Sequence, residues 1–126
     1  MENSVLAPGV IVEEGAIVKD SIIFTDTIVK KDSFIHKTII DKKVVIEANC
    51  QIGRGDVLVP NKEIPNKLNT GINLIGKFAT VPEHTIIERN CRILSKVDDN
   101  DFGKKRHIKS GESIHSCKEG GFFDIY

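Results

Sequence analysis

The chain has no excess charge of either sign. Its 126 residues carry 18 lysines and arginines against 18 aspartates and glutamates. No general attraction to nucleic acid or to an anionic membrane surface is expected from that balance. No apolar run approaches the roughly 18 residues needed to span a bilayer. The opening MENSVLAPG lacks the charged and apolar regions of a signal peptide, so the chain is expected to be cytoplasmic. There are three cysteines, with no CxxC pair and no close histidine partner, which disfavours a metal site or a disulfide framework. A Gly-rich phosphate loop of Walker or dinucleotide type is also missing. Gly53-Arg54-Gly55 falls at a bend and has no helix after it.

What the chain does have is a six-residue beat. Val5, Ile11, Ile17, Ile23, Val29 and Ile35 fall six apart, and after a one-residue slip Ile40, Ile46 and Ile52 resume the step. Four residues behind these aliphatics sit Gly9, Gly15, Ser21, Thr27, Ser33 and Cys50. A short fixed repeat of this kind is the hexapeptide signature of a parallel β-helix. In each hexad a strand points its aliphatic inward and its neighbours outward, and a cramped bend takes the small residue. The β-branched residues at the inward slots suit stacked strands and argue against helices. Cys50 and Cys91 fall on small positions and are expected to be buried thiols, whereas Cys117 lies in an irregular tail.

The beat stops at 58–70, where two prolines and three asparagines mark a loop leaving the stack. Loops of this length often contact a ligand or partner, and the alternative is a free excursion. The beat returns at Ile75, Val81, Ile87 and Ile93, with Ala79, Thr85 and Cys91 in the small slots. The expected organisation is therefore a hexapeptide β-helix over 1–97 with about four to five coils, followed by a tail over 98–126. A hexad-like fragment from Ile108 to Ile114 is a candidate capping strand. The tail aromatics Phe122, Phe123 and Tyr126 would cover the open end or dock on another subunit.

Histidines supply the candidates for chemistry. Acyl transfer on a hexapeptide β-helix needs a histidine base at a subunit seam, and His36 and His84 lie near bends. Zinc-dependent hydration needs three converging histidines, and His107 and His115 lack a third. Lys104, Lys105 and Arg106 form the one dense basic cluster, a candidate seat for an anionic sugar phosphate. A solvated charge run offset by Asp98, Asp99 and Asp101 is the competing reading.

The stretch from Asn3 to Gly53 closely resembles the C-terminal β-helix of bacterial glucose-1-phosphate adenylyltransferases. Within it Ile40-Asp41-Lys42-Lys43-Val44-Val45-Ile46 is similar to a coil of that family. After the loop, Gly71-Ile72, Ile75-Gly76-Lys77 and Val81-Pro82 resemble its return. The resemblance covers residues 3–97 and implies a left-handed parallel β-helix, an exception to the right-handed crossover rule. It further implies a parent enzyme that converts ATP and glucose 1-phosphate to ADP-glucose and pyrophosphate with Mg. In that family the β-helix serves subunit contacts and an allosteric effector site. The catalytic α/β domain has no counterpart in these 126 residues. No catalytic residue and no cofactor is therefore expected in this chain, which is read as a part cut from such an enzyme. The expected partners are a separate N-terminal catalytic domain, further copies of the chain and an anionic effector. Two alternatives stand beside this reading: a small hexapeptide acyltransferase, and the β-helix of another enzyme such as a mannose-1-phosphate guanylyltransferase.

Overall fold

Short strands of two or three residues, each followed by a tight bend, wind into a parallel β-solenoid with three faces. The computed structural model describes residues 3–55 and 59–116. The strands are β1 (Val5–Leu6), β2 (Ile11–Val12), β3 (Ile17–Lys19), β4 (Ile22–Ile23), β5 (Ile28–Val29), β6 (Phe34–His36), β7 (Thr38–Ile40), β8 (Val45–Ile46) and β9 (Gln51–Ile52). After the loop come β10 (Asn73–Ile75), β11 (Thr80–Val81), β12 (Ile86–Ile87), β13 (Arg92–Ile93), a one-turn helix α1 (Asp99–Phe102), β14 (His107–Ile108) and β15 (Ser113–Ile114). They sort into a first sheet β1-β4-β7-β10-β13-β15, a second β2-β5-β8-β11 and a third β3-β6-β9-β12-β14, all parallel. Six turns are begun, more than the four to five expected. The repeat also runs past position 97, because β14 pairs with β12 and β15 with β13. The helix α1 stands in sequence where the fifth strand of the second sheet would fall. It sends Phe102 into the core, and Asp98 caps it by accepting from the amides of Asn100 and Asp101.

The register of the first coil differs from the expected one. Val5, Ile11 and Ile17 point outward, at 63%, 52% and 45% exposed. Their neighbours Leu6, Val12 and Val18 face the core instead. Strand pairing aligns Leu6 with Ile23 and Ile40, Val12 with Val29 and Ile46, and Val18 with Ile35 and Ile52. Each early coil is thus 17 residues long, two six-residue steps and one of five. The slip seen at Ile35 to Ile40 repeats one that already occurs between Val18 and Ile23. A one-residue shift turns a strand over, so missing the first slip reverses every side chain before it. Gly9 and Gly15 likewise occupy the outer bends, at φ of 82° and 79°. From Ile23 onward the aliphatics Ile23, Val29, Ile35, Ile40, Ile46, Ile52, Ile75, Val81, Ile87 and Ile93 are fully or nearly fully buried.

The small inward residues do more than fit a tight corner, because their hydroxyls and thiols bind one coil to the next. Thr27 donates to the Asp41 carbonyl at 2.7 Å and accepts from the Val44 amide at 3.3 Å. Ser33 repeats the pattern with the Glu47 carbonyl and the Cys50 amide, at 2.8 and 3.1 Å. The Cys50 thiol reaches the Pro82 carbonyl at 3.1 Å, and the Cys91 thiol the Lys109 carbonyl at 3.2 Å. Buried backbone carbonyls at each corner thereby find partners. Burial pushes the Cys50 thiol up to about 11 and the Cys91 thiol up to about 12. Thiolate is the reactive form, so both residues should resist iodoacetamide at pH about 8 in the native protein and react only in denaturant. Mass spectrometry of the alkylated peptides measures this, and native-state labelling of either would contradict the packing. Cys117 and the tail aromatics lie outside the described residues.

The loop is fastened to the stack. Asn61 is fully buried, and Leu68 nearly so. The Asn61 amide nitrogen donates to the Asn90 carbonyl at 3.0 Å and to Ser113 Oγ at 3.1 Å. Its side-chain oxygen accepts from the amides of Glu63 and Ile64 at 2.9 and 3.1 Å. Arg89 ties the two stems, donating to the carbonyls of Gly71 at 2.7 Å and Gly53 at 3.4 Å.

Candidate functional site

Outward positions decide what a solenoid can bind, since its interior is filled. On the first sheet the outer column runs Val5, Ile22, Ile39 and Leu74 before turning polar at Arg92 and Ser113. Val5 and Ile22 are exposed and the other two aliphatics half-buried. Contiguous exposed apolar surface of this kind is what interaction faces are built from, and the second sheet carries a shorter outer column of Ile11, Ile28 and Val45. Beside it lies a shallow pocket of about 140 Å³, lined by Asp20, Ile22, Lys37, Thr38, Ile39 and Ile72. Asp20 and Lys37 stand at successive corners with φ of 49° each, and both line the pocket.

His36 adjoins this pocket, with Nε2 3.3 Å from Asp20 Oδ2. His36 does not itself line the pocket and reaches it through Asp20, which does. His84 sits on an exposed bend, 3.9 Å from Glu83. His107 and His115 do not converge, and each pairs with its own glutamate. His115 Nε2 lies 2.7 Å from Glu63 Oε2, and Arg92 holds the other oxygen at 2.8 Å. His107 Nε2 contacts Glu88 Oε2, while the Ser110 amide and hydroxyl donate to Glu88 Oε1 at 3.2 and 3.1 Å. Ser110 therefore binds the carboxylate rather than the imidazole, so the three groups are not a nucleophilic triad. Among the described residues no three histidine, cysteine or acidic side chains gather as a metal site.

These carboxylates fasten the last coil. For Glu88, burial pushes the carboxyl up, but hydrogen bonds from His107 and Ser110 outweigh it and hold the group below the usual 4.5. Glu63 is lowered likewise, burial being outweighed by His115 and Arg92. A carboxylate with a depressed folded-state pKa contributes stability that is complete above its unfolded value and lost as pH falls through the folded one. The thermal midpoint should therefore drop between about pH 5 and pH 3, and Glu88→Gln should lower it at neutral pH while flattening that drop. An unaltered acid limb in the variant would contradict this assignment.

The basic run does not form a convergent seat. Arg106 donates to the carbonyls of Gly103 and Lys105 at 2.8 and 3.1 Å, and Lys105 pairs with Glu112 at 3.1 Å. Asp98 and Asp101 form the capping box of α1. At Gly53-Arg54-Gly55, the Arg54 guanidinium stacks over the Phe34 ring at 4.3 Å. Among the described residues no helix begins before α1. Counting the beat from Val5 places that residue inward, so the outer pair Val5 and Ile22 does not emerge from spacing alone.

Comparison with known proteins agrees with the solenoid. Residues 1–75 match the family described as GlmU-like, C-terminal hexapeptide. A glucose-1-phosphate adenylyltransferase of Thermomicrobium roseum is 44% identical over 72 residues, which is 57% of this chain and 17% of that enzyme. The chain thus aligns with a small part of that relative's length. No solved structure gives a significant match.

Proposed function

The chain belongs to the GlmU-like C-terminal hexapeptide family, and from that premise we propose that it is a non-catalytic β-solenoid domain of a glucose-1-phosphate adenylyltransferase whose task is subunit contact. The observation that carries the reading is the outer column Val5, Ile22, Ile39 and Leu74, an apolar stripe on a stack whose interior holds no site. The catalytic domain that would bind ATP, Mg and glucose 1-phosphate is a partner in this proposal, as are further copies of the chain. An anionic effector finds little at Lys104, Lys105 and Arg106, because two of the three cations are already engaged locally. The purified 126 residues are expected to self-associate in sedimentation equilibrium and to release no pyrophosphate from ATP and glucose 1-phosphate. Turnover would overturn the non-catalytic assignment, and a monomer at every concentration would overturn the contact role.

One observation favours a second reading, acyl transfer with His36 as base: the His36–Asp20 pair borders the pocket. Calorimetric titration with acetyl-coenzyme A tests it, and absence of heat removes it.

A further inference from the structure

The outer face of the first sheet is self-complementary across its width. Strand pairing sets its outward positions in rows: Asp20, Ile22 and Phe24 in the second coil, Lys37, Ile39 and Asp41 in the third, Ile72 and Leu74 in the fourth. One edge of these rows is the pocket, lined by Asp20, Lys37 and Ile72. The opposite edge carries Phe24, which is 45% exposed although large and apolar, with Asp41 one coil above it. Between the edges runs the aliphatic column. A hole, a stripe and a knob therefore share one face, and the two edges differ in charge at the height of the third coil.

We propose that this face is a two-fold interface between two copies of the chain lying side by side with parallel solenoid axes. Phe24 of each copy fills the pocket of the other, and Asp41 of each pairs with Lys37 of the other. The inference rests on the subunit-contact reading and gives it a specific partner and geometry. The symmetry follows from the layout. A two-fold axis running along the Ile22, Ile39 and Leu74 column exchanges the edges of the face while keeping every row at its own height. Such an isologous contact requires that each feature meet its complement on the same patch. The pocket of about 140 Å³ matches a phenyl ring in size. Lys37 has no ion pair among the described residues, while Asp20 at the same mouth is already engaged by His36. Asp41 binds only locally, accepting from the Lys42 amide at 2.7 Å, and can take a second donor. Three rows of one narrow sheet make a contact at the small end of specific interfaces, so the dimer of the isolated chain should be weak, with Kd on the order of micromolar.

Sedimentation velocity from micromolar to millimolar chain tests the geometry with four samples: the native sequence, Phe24→Ser, Lys37→Asp and Asp41→Lys. All three positions are exposed or half-buried. Aspartate also suits the φ of 49° at Lys37, since Asp20, Asp26 and Asp32 adopt similar values at other corners. The native chain should dimerise, and each variant should weaken the dimer by about tenfold or more. Lys37→Asp alone places two carboxylates together at both contacts, and Asp41→Lys alone places two ammoniums together. An equimolar mixture of these two variants restores opposite charges at both contacts and should dimerise as well as the native chain. Restoration on mixing is a result that misfolding cannot produce. Association that ignores all three substitutions, or that yields a trimer, overturns this geometry and leaves the subunit-contact role standing. A monomer throughout overturns both.

Discussion

Replacing Ile46 with alanine should destabilise the protein by about 3–4 kcal/mol, whereas Ile11→Ala should cost less than about 1 kcal/mol. Both residues are isoleucines on the second sheet and both sit on the six-residue beat. Ile46 is fully buried, and its removal leaves a cavity whose walls are the stacked rungs Val29 and Val81. Backbone hydrogen bonds between coils hold those rungs apart, so the void cannot close. Ile11 points outward and is half exposed, so truncating it removes little buried area. Urea unfolding of the two variants measures the contrast. Equal losses would mean that the first coil faces the other way, with Ile11 rather than Val12 in the core.

The second large effect is expected at Asn61. Asn61→Ala removes three donor contacts, to the Asn90 and Glu112 carbonyls and Ser113 Oγ, and the acceptor for the amides of Glu63 and Ile64. An orphaned buried polar group costs about 1–3 kcal/mol, and several are left here, so a loss of about 3 kcal/mol is expected. Asn61→Asp separates volume from bonding, because it keeps the acceptor and loses the donors. It should fall between alanine and the native residue if hydrogen bonding dominates, and below alanine if an ionised carboxylate is trapped in the dry site. A change of under about 0.5 kcal/mol for Asn61→Ala would show that the loop is not fastened through this residue.

Much of the architecture is legible from spacing, because one side of every strand must be aliphatic. The inward sets from Ile23 to Ile52 and from Ile75 to Ile93 stand out for that reason. The first coil is illegible for an equally physical reason. Val5-Leu6, Ile11-Val12 and Ile17-Val18 are aliphatic at both strand positions and all precede the first short step, so alternation carries no information about which side is inside. The strand partners carry it instead, and in sequence they appear as a 17-residue spacing. Two short steps, Val18 to Ile23 and Ile35 to Ile40, would have exposed the coil length had both been seen. The end of the stack is hard to read from spacing because α1 interrupts the beat where a strand of the second sheet is due. The docking of the loop depends on Asn61 and Asn90 bonding across 29 residues, and nothing local in a Pro- and Asn-rich segment distinguishes a bound loop from a free one.

The loop has one more consequence, for cooperativity. A stack in which each coil touches only its neighbours behaves as a one-dimensional chain and can open wherever a link is weak. Here the loop leaves after the third coil and bonds to the fifth and sixth, through Asn61 to Ser113 and Lys62 to the Gly111 carbonyl at 2.9 Å. These contacts skip turns of the helix, so the C-terminal coils cannot unwind singly. The N-terminal coil has no such tie, and its rung of Leu6 and Val12 is only partly buried. Amide hydrogen exchange should therefore fall into two blocks, a fast-opening first coil and a slowly exchanging unit from the loop to Ile114 that opens as a whole.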